Sequence, residues 1–109
     1  MIKIAIYKNA EHLITGFQVS GHSGYAEAGS DIVCSAVSAL VINTINSIQQ
    51  FTSDQFRLEQ DEKTGYIEFH VVSPISNNSN LLLSSLALGL QGISEEYSEY
   101  IKLSQVKSQ

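Results

Sequence analysis

The chain has 109 residues, 43% of them hydrophobic and 16% charged, which suits one domain with a single core and excludes a disordered chain. The formal net charge is −5 and Arg57 is the one arginine, so nucleic-acid binding as the main activity is disfavoured and a basic protein or peptide partner is permitted. No signal-peptide pattern and no apolar run of about 20 residues is evident, so we expect a cytoplasmic protein without a membrane span.

The first half of the chain predicts a hairpin, a loop and a long helix. Apolar residues alternate over 2–7 and again over 13–19, the period of half-buried strands. A glycine-rich loop follows, and a helix is predicted from 31 to about 50 with Ser30 or Asp31 as its cap. Apolar residues surround the start of this helix on nearly all sides, so we expect its first three turns to be buried.

The second half predicts two strands, a helix and a last strand. The strands cover 54–60 and 65–72, polar residues 77–80 cap the helix, and the strand 100–106 turns Ile101 and Leu103 inward. The inner face of this second helix is expected to contain Leu82, Leu86, Leu90, Ile93 and Tyr97. The order ββαββαβ predicts an α+β fold over residues 1–109, a mostly antiparallel sheet packed with two helices.

Reactive residue types concentrate where the glycine loop meets the first helix. Asp31, Cys34 and Ser38 follow at spacings that place them along one helix face. Cys34 is predicted in the first turn, where the helix dipole and unpaired N–H groups favour a thiolate. His22, at the other end of the loop, is placed to act as its acid–base partner, as in enzymes that transfer acyl groups.

Each of these residues also has a purely structural interpretation. Cys34 suits a core position, His22 a loop position bonded to backbone, and Asp31 a helix cap. Ser38 suits a small packing residue or one whose hydroxyl bonds back to a backbone carbonyl. A metal bound by His22, Asp31 and Cys34 is disfavoured because paired short ligand spacings are missing. The residues alone leave these alternatives open.

Residues 21–40, GHSGYAEAGSDIVCSAVSAL, resemble the signature of the bacterial ribosomal-processing cysteine protease family, Prp. In that pattern a His, a Gly, an Asp, a Cys and a Ser occur in the same register as in this chain. Ser23 and Ser35 depart from it, at positions where the family often has alanine. The chain length and the order of elements fit the family as well.

The resemblance implies a cytoplasmic homodimer that removes the N-terminal extension of large-subunit ribosomal protein twenty-seven, after an aromatic residue in a hydrophobic motif. It implies Cys34 as nucleophile, His22 as general base, and Asp31 and Ser38 as supporting residues. Oxyanion or loop roles are expected for three further residues: Gly21, Gly29 and Ser30. No cofactor, metal, nucleic acid or membrane is implied, and the loop is expected to close over the substrate.

Two other classes of function remain open at this point. A non-catalytic module that binds the ribosome or a basic peptide would keep Cys34 as a structural residue. A thiol-based redox or acyl-transfer enzyme would use the same Cys34 and His22 pair.

Overall fold

The computed structural model describes residues 1–21, 30–72 and 74–107, with backbone alone for Ser30, Asp31 and Lys107. Its elements follow the predicted order ββαββαβ. They are β1 (Ile2–Lys8), β2 (Ile14–Ser20), α1 (Ser30–Phe51), β3 (Phe56–Asp61), β4 (Tyr66–Val71), α2 (Asn77–Glu96) and β5 (Ile101–Lys107). The predicted α+β class is confirmed.

One mixed sheet connects all five of these strands, in the order β3-β4-β2-β1-β5. The pairs β1–β2, β2–β4 and β3–β4 are antiparallel, and the pair β1–β5 is parallel. The chain reaches β5 through α2, which supplies the crossover that a parallel partner at the far edge of the sheet requires. The sheet is therefore mostly antiparallel, as the sequence predicts.

The core lies between one face of the sheet and the two helices. Because side chains alternate between the two faces of a strand, Ile2, Ile4 and Ile6 of β1 all point into the core. The rings of Phe17 and Phe69 stack there with centroids 5.3 Å apart. The helices add a second group of buried residues: Val33, Val37, Val41, Ile45, Ile48, Leu83, Leu86 and Leu90. Ile101 of β5 is buried and Leu103 is half-buried, so both lie on the predicted inner face.

The expected burial of the first three turns of α1 is wrong. Only one stripe of α1 packs on the sheet, whereas Ile32 is 63% exposed and Ile42 50% exposed. Residues Ile32–Phe51 are nevertheless long and apolar enough, by length and composition alone, to cross a membrane, contrary to the sequence expectation. Core helices of soluble proteins meet the same criterion, and the buried stripe of α1 is that of a core helix.

The start of α2 differs from the prediction, because Ser76 caps the helix rather than residues 77–80. The Ser76 hydroxyl accepts a hydrogen bond from the Ser79 N–H at 3.1 Å. Along the inner face Leu83 is buried while Leu82 is half-buried, and Ile93 and Tyr97 pack against the edge of the core. The sequence does not identify the capping residue, because several residue types in the polar run after Pro74 can cap a helix.

Asp54 fixes this cap to the chain that leads into β3. Its Oδ2 accepts hydrogen bonds from the N–H of Ser76 at 2.9 Å and from the Ser76 hydroxyl at 2.7 Å. Partial burial raises the pKa of the Asp54 carboxyl, but hydrogen bonds from Ser79 and Ser76 outweigh that effect, so its pKa lies below the ordinary value of 3.8.

We expect Asp54→Asn to lower the free energy of unfolding by about 1 kcal/mol at neutral pH, because the charged acceptor of two hydrogen bonds is lost. The folded state holds this proton more weakly than the unfolded state, so the stabilisation is complete above the ordinary pKa and disappears as the pH falls through the lowered folded value. Urea denaturation at neutral pH and at about pH 3 measures the change.

The matched control is Glu11→Gln, which removes an exposed carboxylate in the β1–β2 turn and should leave unfolding unchanged. Equal loss of stability in both variants would show that the Asp54 carboxylate contributes only through overall charge.

Candidate active site

A cleft of about 280 Å³ separates one edge of α1 from the turn between β3 and β4. Ile2, Val19 and Gly21 line it from β1 and the end of β2. The remaining lining residues come from α1 and from the β3–β4 hairpin: Cys34, Val37, Ser38, Val41, Ile42, Gln60, Asp61, Glu62, Gly65, Tyr66 and Ile67. The cleft therefore joins sequence segments that are far apart along the chain.

Cys34 is half-buried, with one side against the core and the other on this cleft. It is the fifth residue of α1 rather than part of the first turn, so the sequence placed it slightly too early. The N–H groups at the start of α1, which have no acceptor inside the helix, precede it in the chain. The structure thus keeps the predicted proximity of the thiol to the positive end of α1.

Ser38 lies one helical turn after Cys34 and lines the same cleft, as the predicted shared face requires. Its side chain is exposed, which excludes the alternative of a buried packing residue. The side chain of Asp31 is not described, so its role as cap or supporting residue stays a prediction.

His22 and Gly29 lie outside the described residues, as do the loop residues between them. The two ends of that segment are described. The chain leaves the end of β2 at Gly21, which lines the cleft, and resumes at Ser30, four residues before Cys34. A histidine directly after Gly21 is therefore attached to the rim of the cleft that contains the thiol.

Gly21 is required by the backbone itself. Its φ is +90°, and a Cβ at this position would lie 2.6 Å from the carbonyl oxygen of Met1. Any other residue would be strained by both the backbone angle and the close approach. A glycine is therefore needed where β2 ends, directly before His22 in the sequence.

Sequence reasoning missed the wall of the cleft formed by the β3–β4 turn. Its tip is shaped by Asp61, whose Oδ1 accepts a hydrogen bond from the Lys63 N–H at 3.0 Å, and by Gly65 with φ +68°. In the sequence, Asp61 and Glu62 indicate only a polar turn. No spacing along the chain predicts that they lie on the same cleft as Cys34. The pairing of β2 with β4 brings this turn to the cleft.

The opposite face of the sheet carries a hydrogen-bonded group that the sequence did not predict. Glu68 accepts a hydrogen bond from the Tyr66 hydroxyl, contacts His70 Nε2 at 2.7 Å and accepts another from Gln18 Nε2 at 3.1 Å. The hydrogen bond from Tyr66, followed by that to His70, lowers the pKa of the Glu68 carboxyl. His70 therefore has a partner in Glu68, and the centroid of the Tyr7 ring lies 4.9 Å from that of the His70 ring.

No group of three His, Cys, Asp or Glu side chains suited to a metal ion occurs within residues 1–21, 30–72 and 74–107. What the cleft contains chemically is a partly accessible thiol and a nearby hydroxyl, and the start of α1 lies about one turn before the thiol. Such a site is suited to nucleophilic attack by sulfur on a carbonyl carbon.

A family model described as Cysteine protease Prp matches residues 1–102 of this chain. The chain belongs to the cysteine protease Prp family. A Staphylococcus aureus relative, the ribosomal processing cysteine protease Prp, is 36% identical over 105 residues, covering 94% of this chain and 97% of its own. The resemblance expected from residues 21–40 is confirmed, and with it the assignment of the chain as a cysteine protease.

Solved structures of this family agree with the fold. The S. aureus protease Prp in complex with a substrate peptide matches with a TM-score of 0.90 and 31% identity, covering 97% of this chain and all of the other. The same S. aureus protease with a covalently linked product peptide matches with a TM-score of 0.88 and 32% identity, at the same coverage.

We expect iodoacetamide to alkylate Cys34 in the native protein, since its side chain reaches the cleft. Ser38→Trp should slow alkylation about tenfold by filling the cleft beside the thiol, with intact mass against time as the measurement. Ser35→Trp adds the same ring at an exposed position of α1 outside the cleft and should have little effect. Equal slowing by both variants would contradict access through this cleft.

Proposed function

We propose that this protease removes the N-terminal extension of large-subunit ribosomal protein twenty-seven, with Cys34 as nucleophile and His22 as general base. The observation that carries the proposal is the position of Cys34. A cysteine protease needs a thiol that its substrate can reach, this chain contains one cysteine, and that cysteine lies on a cleft at the start of α1.

His22 is supported as general base by the chain path and by its residue type. It follows Gly21, whose backbone leaves β2 at the rim of the cleft. Of the other two histidines, His70 contacts Glu68 on the opposite face of the sheet, and His12 lies in the β1–β2 turn. Neither of them lines the cleft, so His22 is the histidine whose attachment point does.

The mechanism follows from the chemistry of this pair. His22 takes the proton of the Cys34 thiol, and the sulfur attacks the scissile carbonyl to form a tetrahedral intermediate. The intermediate collapses to a thioester as His22 donates the proton to the leaving amine. Water, deprotonated by His22, then hydrolyses the thioester, which releases the second product and restores the thiol.

The start of α1 supplies a place for the oxyanion. Its unpaired N–H groups point away from the helix body and carry the positive end of the dipole, next to the residue that attacks. We assign oxyanion stabilisation to backbone donors of this first turn, where the loss of one donor typically costs about 3 kcal/mol. Asp31 and Ser38 are proposed to support the pair.

The substrate assignment is supported by the relatives and permitted by the charge. The S. aureus relative is a ribosomal processing protease, and its structures contain a substrate peptide and a covalently linked product peptide. The net charge of −5 is compatible with a basic ribosomal precursor. We further propose that the enzyme acts in the cytoplasm as a homodimer.

Cys34→Ala is expected to abolish cleavage while the fold is retained, because the thiol is half-buried and its replacement leaves little empty space. Cys34→Ser should be nearly inactive, since a hydroxyl is far harder to ionise than a thiol. Incubation with the extended ribosomal protein, followed by intact mass, measures the released peptide, and circular dichroism checks the fold. Continued cleavage by folded Cys34→Ala would exclude the mechanism.

His22→Ala should lower kcat/KM by about 10²–10⁴-fold, the usual contribution of a general acid–base group. The matched control is His12→Asn, which removes a histidine at a φ of +66° with a residue that tolerates this angle. Cleavage should be unchanged in the control. Equal activity in the two variants would remove His22 from the catalytic pair.

A further inference from the structure

The cleft contains an exposed apolar side chain, Ile42, two helical turns from the thiol of Cys34. Ile42 is 50% exposed, and it lines the same cleft as Cys34 and Ser38. These three residues follow at intervals of four along α1, so they form one edge of the helix that faces the β3–β4 turn. The edge presents a sulfur, then a hydroxyl, then a branched hydrocarbon.

The distance from Cys34 to Ile42 can be expressed as a number of residues in a bound peptide. Cys34 and Ile42 are two helical turns apart, about 12 Å at the rise of an α-helix. An extended peptide advances about 3.3 Å per residue, so this distance corresponds to about three or four residues. A peptide lying along the cleft with its scissile carbonyl at Cys34 would therefore bring a side chain of that position to Ile42.

The surroundings of Ile42 suit an apolar side chain. Val37 and Val41 of the same helix line the cleft and are almost fully buried, and half-buried Ile67 comes from the inward face of β4. The β3–β4 turn adds polar residues on the other side. Isoleucine exposed at this place presents to the cleft a hydrocarbon surface that a substrate side chain can cover, which favours binding. Leu88 of α2 is more exposed still, at 73%, but it does not line this cleft.

We propose that Ile42 is a specificity-determining residue, which binds an apolar substrate side chain three or four residues from the scissile bond. This inference rests on the proposed function of Cys34 as the nucleophile and adds a second point of recognition to it. The occupant is the substrate itself, because the cleft is continuous from the thiol to Ile42.

The experiment uses the full chain and peptides that extend about five residues to each side of the processed bond, far enough to pass Ile42. Each apolar residue of the peptide is replaced in turn by Asn, which is polar but adds no charge opposite Asp61 and Glu62, and kcat/KM is measured for every peptide. We expect Ile42→Asn to lower kcat/KM on the parent peptide about tenfold, since a partly covered isoleucine is lost. We expect Ile42→Leu to stay within about twofold.

The decisive result is how kcat/KM depends on the position that is substituted in the peptide. The wild-type enzyme should reject Asn at one position three or four residues from the bond, and Ile42→Asn should lose this discrimination while the penalties at other positions remain. Leu88→Asn, which changes an exposed apolar residue outside the cleft, should reproduce the wild-type profile. An unchanged profile in Ile42→Asn would overturn the proposal.

Two further outcomes separate this inference from the proposed function. If the wild-type enzyme cuts the peptides and Ile42→Asn shifts the oligomeric state in size-exclusion chromatography, Ile42 belongs to a subunit contact and the inference fails by itself. If the wild-type enzyme cuts neither the peptides nor the extended ribosomal protein, the proposed function fails and the inference fails with it.

Discussion

The packing of α1 in the core, against α2 and the sheet, is the constraint on which the site depends. Val33, Val37 and Val41 recur every fourth residue and are fully or almost fully buried, so they fix both the rotation and the height of the helix over the strands. With that rotation set, Cys34 and Ser38 lie at the edge of the contact rather than inside it. A rotation of α1 by one residue's angle would either bury the thiol or turn it away from the cleft.

Half-burial serves the chemistry proposed for the cysteine. A fully buried thiol is inert because no substrate reaches it, and a fully exposed thiol lacks a shaped surface around the scissile bond. Contact with the core holds Cys34 in place, while the cleft leaves its other side accessible. The β3–β4 turn closes the far side of the cleft, and β-sheet pairing rather than local sequence positions it there.

The errors in the sequence predictions have a common physical origin. Hydrophobic periodicity reports which residues can be buried, and it does not report how much partner surface exists to cover them. Ile32 and Ile42 look like core residues for this reason, yet the sheet covers only one stripe of α1. Likewise, Ser76 and residues 77–80 are all plausible caps, and the hydrogen bonds that Asp54 accepts from Ser76 decide between them.

The sequence by itself determined the order of the elements, the α+β class, the inward alternation of Ile2, Ile4 and Ile6, and the family, because these depend on local periodicity and on an ungapped motif around Cys34. The position of β5 beside β1, the wall opposite the thiol and the exposure of Ile42 were decided by the tertiary structure. Each of these is a contact between segments far apart in the chain, and their relative placement depends on how helices and strands pack together. No local pattern contains that information.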